Sequence, residues 1–570
     1  MKPILPVCVL VAAMSVPGIS AKAQNAQTEF RQFLKGFEAK VIPLSRDAAL
    51  ASYDSSISGK EEDYKRSADL QVQLKKLFST PATFTQLKTW RDSKTVTDPL
   101  LKRQLELLYL EFLRNQLPEA TLTELVNRQT EIEKTFNTFR ATLEGKAISD
   151  NELDEVLGES TDSAKLEQAW KASKEIGQKV APAILELVKV RNKAAKDLGF
   201  KNFQVMQLAL SEQDPDTIEK LFDQLDQLTR RDFAQVKGDV DAFLAKRLGI
   251  KPEALRPWHY QDRFFQEAPK IYPVDLDATY AGKDTAKLVA AYYAGIGLPI
   301  DDIVKRSDLY EKPGKYQHAF CTDIDRSGDV RILCSLKPNA YWMNTMLHES
   351  GHGVYSKFND PKLPWLLRDA AHTFTTEAIA NLFGRFATSP AWLQDNLGVS
   401  AAERMKIEQP LADSLRLEQL VFSRWSQVMF RFEKAMYENP DQDLDKLWWD
   451  LAERYQLLKR PEGRKAPDWA AKIHVALYPA YYHNYLLGQL LASQLLHHVC
   501  TKVLGAKDIA SQSFSGRKEV GRYFHEKVFM PGMRYSWNGM IERATGEKLT
   551  PKYYAEQFVG AQKHEKAPHK

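Results

Sequence analysis

The sequence predicts a large, mostly α protein with one small β hairpin, and three observations predict it. Apolar residues recur at three- and four-residue spacing through most of the 570 residues, the period of an amphipathic helix. Glycine and proline turn signals are local, as in "LGIKPEALRPW", "EKPGKYQ" and "DRSGDVRIL". One segment, 318–337, reads as strand, turn and strand. With 44% hydrophobic and 27% charged residues, the chain has an ordinary globular composition and can bury a sizeable core.

The first element is a leader. Lys2 supplies a charged start, "ILPVCVLVAAM" a short apolar run, and Ala21-Lys22-Ala23 an A-x-A cleavage pattern. Residues 1–23 therefore read as a signal peptide, and the expected location is exported, periplasmic or secreted. The run is too short to span a bilayer, and no later segment is apolar for about 18 residues, so no membrane span is expected. Helices are predicted in order at 121–143, 181–200 and 217–250, and after the hairpin at 418–437, 445–458 and 481–504. "HAFCTDI" and "DVRILCSL" flank the turn Asp325-Arg326-Ser327-Gly328. The chain ends in a lysine-rich tail, about 561–570. No repeat or long linker marks a domain boundary, so 24–570 reads as one domain.

Charge excludes little. Seventy-nine basic and 74 acidic side chains are interspersed and give a formal charge of +5. Nothing here argues for nucleic acid. Oligomeric state is not legible. Of the cysteines outside the leader, Cys321 and Cys334 could pair across the hairpin or remain reduced, and Cys500 is left over.

The chemistry concentrates at "NTMLHESGHGVYSKF" (344–358). His348 and His352, four apart, share one face of a helix and can present imidazole nitrogens to one ion. Glu349 follows about 100° round the helix. It can reach a water bound to that ion, take its proton and return it to a leaving amine. A catalytic zinc has three protein ligands and a water. Glu377 in "AAHTFTTEAIANLFGRF" is the preferred third ligand, on a helix beginning near Thr375 and Thr376. His372 is its competitor. Asn381, one turn on, could orient a ligand. The three-histidine continuation of the motif is absent, because Gly353-Val354-Tyr355-Ser356 does not fit it. The expected cofactor is one Zn2+ per chain.

These residues resemble angiotensin-converting enzyme and its bacterial relatives, the M2 peptidyl-dipeptidases. "LVKVRNKAAKDLGFKNF", "HAF…DVRILC", "LPWLLRDAAHTFTTEAIAN" (with Arg368 nine residues before Glu377) and above all "KIHVALYPAYYHNYLLGQL" (472–490) carry the resemblance. It implies a helical gluzincin with two subdomains flanking a deep central cleft, and an N-terminal helical lid over about 24–150. It implies that Lys472 and Tyr482 bind the substrate's C-terminal carboxylate, with Gln261 of "WHYQDRFF" as the matching glutamine. His474 and Tyr485 would support the oxyanion, and His318-Ala319 would hold the substrate backbone. The implied activity is release of C-terminal dipeptides from oligopeptides. The chain departs from the pattern at Asn381, where aspartate is usual, and at Asn484, where animal members carry an arginine linked to chloride activation. It also has one extra residue between His474 and Tyr482. The thimet/oligopeptidase F (M3) family shares the zinc motif and a tyrosine-rich segment, which would imply an oligoendopeptidase. A non-catalytic peptide-binding protein on the same fold is the alternative from another class. His497 and His498 read as packed or exposed helix residues.

Overall fold

The computed structural model describes residues 21–272 and 274–559. Most of the expected leader and the tail 561–570 lie outside these residues; Ala21–Ala23 open the first helix. The chain is mostly α, with two small antiparallel hairpins. Among the described residues, no helix is long and apolar enough to cross a membrane.

Three apolar cores organise the helices. The first joins helices Ala21–Ser58, Pro81–Ser93 and Pro99–Arg114 through Phe30, Leu34, Trp90 and Phe112. Helix Glu61–Phe78 lies beside them and buries none of its residues. The second surrounds the long helix Ser163–Asp197 and is rich in tryptophan: Trp170, Trp425, Trp449 and Trp469. The third gathers helices Pro215–Leu248, Ala340–Lys357, Thr373–Gly384 and His483–His498. Helix Ala401–Glu438 serves both larger cores, sending Trp425, Val428 and Phe432 into one and Leu417, Leu420 and Phe430 into the other. Its Phe422 packs against both. A cavity of roughly 770 Å³ opens where they meet.

Local chemistry explains the ends of these elements. Asp214 caps Pro215–Leu248 by accepting from the Thr217 amide, and Gly249 closes it in the left-handed conformation. Ser400 and Glu403 form a capping box at the start of Ala401–Glu438.

The predicted helix over 121–143 ends earlier, at Thr138. Its last residues form a second hairpin absent from the sequence prediction, Ala141–Leu143 against Lys146–Ile148. Glu144 and Gly145 both have positive φ, +52° and +77°, which a two-residue turn matching the strand twist requires. The C-terminal parts of 445–458 and 481–504 widen into π-helical turns at Ala452–Gln456 and Val499–Val503.

The hairpin expected in 318–337 is present. Phe320–Asp323 pairs with Val330–Leu333, with Cys321 opposite Ile332. The Asp323 carboxylate accepts from the Arg326 amide at 2.8 Å and shapes the turn. Cys321, Cys334 and Cys500 are free thiols.

Candidate active site

The motif helix Ala340–Lys357 starts at Asn339, whose side chain accepts from the Trp342 amide. It buries Met343, Met346 and Leu347, and the buried Tyr293 hydroxyl donates to the Leu347 carbonyl at 2.7 Å. Helix Thr373–Gly384 crosses it at a very short distance. A Cβ on Gly351 would lie 2.8 Å from Ala380 Cα, so only glycine permits this approach. At Gly488 of helix His483–His498 a Cβ would lie 3.2 Å from Glu377 Cβ, a tight contact to which the neighbour would have to yield.

That packing brings His348, His352 and Glu377 together, their donor atoms all within 4.8 Å of one another. Glu377 oxygens lie 3.8 Å from His348 Nε2 and 3.9 Å from His352 Nε2. Burial pushes the two imidazoles down to about 4 and about 3, so both are neutral and these contacts are not ion pairs. Burial also pushes Glu377 up to about 7; burial and the Glu377 charge together push Glu349 up to about 8. Two imidazole lone pairs thus face two crowded carboxylates. A divalent cation fits this donor set, since tetrahedral zinc places its ligand atoms about 3.4 Å apart. His352 Nδ1 is paired with Thr376 Oγ1 at 2.8 Å, which leaves Nε2 for a metal. Thr376, rather than Asn381, therefore orients this ligand, while Asn381 lines the cavity nearby. His372 is the N-cap of helix Thr373–Gly384, which begins two residues before Thr375; its Nδ1 accepts from the Phe374 amide.

The second cluster lines the same cavity. Lys472 Nζ donates to Gln266 Oε1 at 2.5 Å, with the rings of Phe264, Trp425 and Tyr482 at 5.5, 5.5 and 5.7 Å. Burial pulls its ammonium down to about 8, against the opposing charges of Asp262 and Glu267. Tyr482 accepts from Trp425 Nε1 at 2.8 Å, so its own hydroxyl hydrogen is free to donate. His474 is pushed down to about 4 by burial and by Lys472, and its buried Nδ1 has no hydrogen-bond partner. The Tyr485 phenol is held up by burial and by Glu377, and so stays a donor.

The sequence-derived positions divide clearly. His348, Glu349, His352, Glu377, Ala319, Lys472, His474, Tyr482 and Tyr485 line one cavity. The Cys321 amide hydrogen-bonds Glu349, tying the hairpin to it. His318 is not among the lining residues; it is exposed and packs on Tyr316. Gln261 is a correction. It is left-handed (φ +63°) and its amide is consumed by the Gly158 carbonyl and the Lys270 amide. Gln266, five residues on, reaches the cavity instead, because the intervening loop turns back on itself. No periodicity in the sequence distinguishes the two glutamines. Gln266, Thr373, Phe422 and Gln489 also line the cavity without having been singled out in the sequence, and Thr376, read there only as a helix start, orients His352. Arg368 bonds the Leu363 carbonyl and Ser327 of the hairpin turn. Asn484 is buried and accepts from Gln213 at 2.7 Å. His497 and His498 pack on Tyr553 and Tyr523.

The chain is 21% identical to the angiotensin-converting enzyme of Theromyzon tessulatum over 94% of its length and 91% of that protein. It is 21% identical to the angiotensin-converting enzyme-like protein Ace3 of Mus musculus, over 76% of the chain and 63% of that protein. It is also 21% identical to a Caenorhabditis elegans protein named as an inactive angiotensin-converting enzyme-related protein, over 83% of the chain and 57% of that protein. The peptidase M2 family model, described as angiotensin-converting enzyme, matches residues 24–247 and 289–556. This membership supports a metallopeptidase acting on peptides, and the chain belongs to the angiotensin-converting enzyme (M2) family of peptidases.

Proposed function

We propose that this chain is a zinc-dependent peptidyl-dipeptidase. The observation that carries the reading is that Lys472, with the free hydroxyl of Tyr482 beside it, faces the same cavity as His348, His352 and Glu377. A cation fixed at a set distance from the reacting centre measures the substrate from its C-terminal carboxylate, and two residues is the span the family suggests. His348, His352 and Glu377 would hold zinc, which acidifies a bound water and polarises the scissile carbonyl. Glu349, whose raised carboxyl the charge of a bound cation would return to the ionised form, takes one proton from the attacking water. The C–N bond breaks as that proton passes to the leaving nitrogen. Neutral His474 and the Tyr485 phenol stand beside the developing oxyanion as donors. Gln266 orients Lys472 toward the carboxylate. The leader-like pattern of residues 1–23 supports an exported protein, periplasmic or secreted, which cell fractionation checks.

The test is mass spectrometry of products from oligopeptides with free and amidated C-termini. The free acids should shorten by two residues at a time. Amidation should lower kcat/KM by about 10- to 100-fold, the weight of one charged hydrogen bond. Equal cleavage of both, at internal bonds, would replace this reading with an oligoendopeptidase. Elemental analysis should find one zinc per chain; a zinc-free, inactive protein would leave only peptide binding.

A further inference from the structure

The loop Gln261–Glu267 lies between the two spans that the family model matches, and it is heavily built. Gln261 and Phe265 are both left-handed, with φ of +63° and +52°. The Arg263 carbonyl accepts from Trp170 Nε1 at 2.9 Å and Lys174 Nζ at 2.8 Å. Gln456 Nε2 donates to the Phe264 and Phe265 carbonyls at 2.9 and 2.8 Å. Asp262 sits inside this turn. Its carboxylate accepts from the Phe264 amide at 3.0 Å and the Gln266 amide at 3.4 Å. The turn therefore fixes Gln266, which in turn bonds Lys472.

Asp262 also carries charge to a place that needs it. It acts electrostatically on two buried ammonium groups, Lys174 and Lys472. Lys174 stands 3.2 Å over the Phe264 ring, on helix Ser163–Asp197. The charged groups facing Lys472 are Asp262, Glu267 and Arg263 from the loop, and the neutral His474 is the titratable group on its own segment. Asp468, Arg263 and Arg464 face Lys174 as well.

We propose that Asp262 is a positioning residue for the substrate's C-terminal carboxylate: from within the turn that presents Gln266 to Lys472, it supplies negative charge to the Lys472 ammonium. This rests on the reading of Lys472 as the C-terminal anchor. A lysine that loses its proton cannot pair with a carboxylate, so Asp262 sets the pH range in which free C-termini are preferred.

Two measurements on Asp262→Asn, with Asp262→Glu as the rescuing variant, test this. The first is kcat/KM from pH 6 to pH 9.5 for a peptide and its C-terminal amide. In Asp262→Asn the alkaline limb for the free acid should move at least one pH unit toward acid. At pH 8, KM should rise about tenfold with kcat nearly unchanged. The amide should be unaffected, and Asp262→Glu should restore the limb. An unmoved limb, or equal loss on acid and amide, overturns the proposal. The second measurement needs no substrate: the rate of Lys472 acylation by acetic anhydride against pH, read by mass spectrometry. Its midpoint should fall by at least one unit in Asp262→Asn. If the parent cleaves acid and amide equally, the C-terminal reading fails. The acylation midpoint then still decides the Asp262–Lys472 coupling, and an unchanged midpoint sinks it.

Discussion

At the scale of single residues, the site separates a group that moves a proton from groups that shape charge. Among the described residues lining the cavity, Glu349 is the carboxylate left over beside the proposed ligands; the Cys321 amide bonds it, and the charge of a bound cation would ionise it to accept from water. Glu349→Ala should lower kcat by about 10²- to 10⁴-fold while keeping the fold and bound metal, checked by steady-state kinetics and zinc analysis. Tyr485→Phe should lower kcat by about 10²-fold with little change in KM, because its donor acts on charge that develops only in the transition state. An equal rise in KM would instead make Tyr485 a ground-state binding residue. His348, Glu349, His352 and Glu377 were legible in the sequence because helical spacing alone puts the first three on one turn and the fourth on the next amphipathic run. Gln266 was not legible. Whether it or Gln261 reaches the cavity depends on two left-handed residues and on donors from Trp170, Lys174 and Gln456, which lie about 90 to 190 positions away.

At the scale of elements, the site is a crossing of helices made possible by two glycines. Gly351→Ala gains helix propensity but drives a methyl into Ala380 Cα. The expected net effect is a loss of about 1 to 3 kcal/mol and a metal affinity lower by about tenfold or more, since His348, His352 and Glu377 face each other across that contact. Thermal melts and zinc titration of the variant check this; unchanged melting and affinity would mean that the helices separate freely. Element existence was readable from periodicity, but ends were less so. Helix 121–143 stops at Thr138, because the positive φ at Glu144 and Gly145 turns the chain back as a hairpin. Helix Thr373–Gly384 begins earlier than the threonines suggested, because a histidine side chain does the capping.

At the scale of the whole molecule, the cavity lies where two large cores share helix Ala401–Glu438. The proposed metal ligands come from the core around Ala340–Lys357 and Thr373–Gly384, whereas Lys472 and Tyr482 sit beside the tryptophan-rich core. Zinc in this site would stabilise the native state by about 2.7 kcal/mol at a hundred times its Kd, without binding the unfolded chain comparably. Chelation should therefore lower Tm, added zinc should restore it, and Glu377→Ala should show a smaller shift, all by scanning calorimetry. A chelator-insensitive parent would contradict metal binding. The sequence by itself determined the helical class, the site hairpin and the histidine–glutamate constellation, because these are set by spacing within a few turns of chain. The tertiary structure decided which glutamine faces Lys472, which residue orients His352, and that His318 stays outside the cavity. Those outcomes depend on how distant segments fold back and pack against one another, which no local period in the chain records.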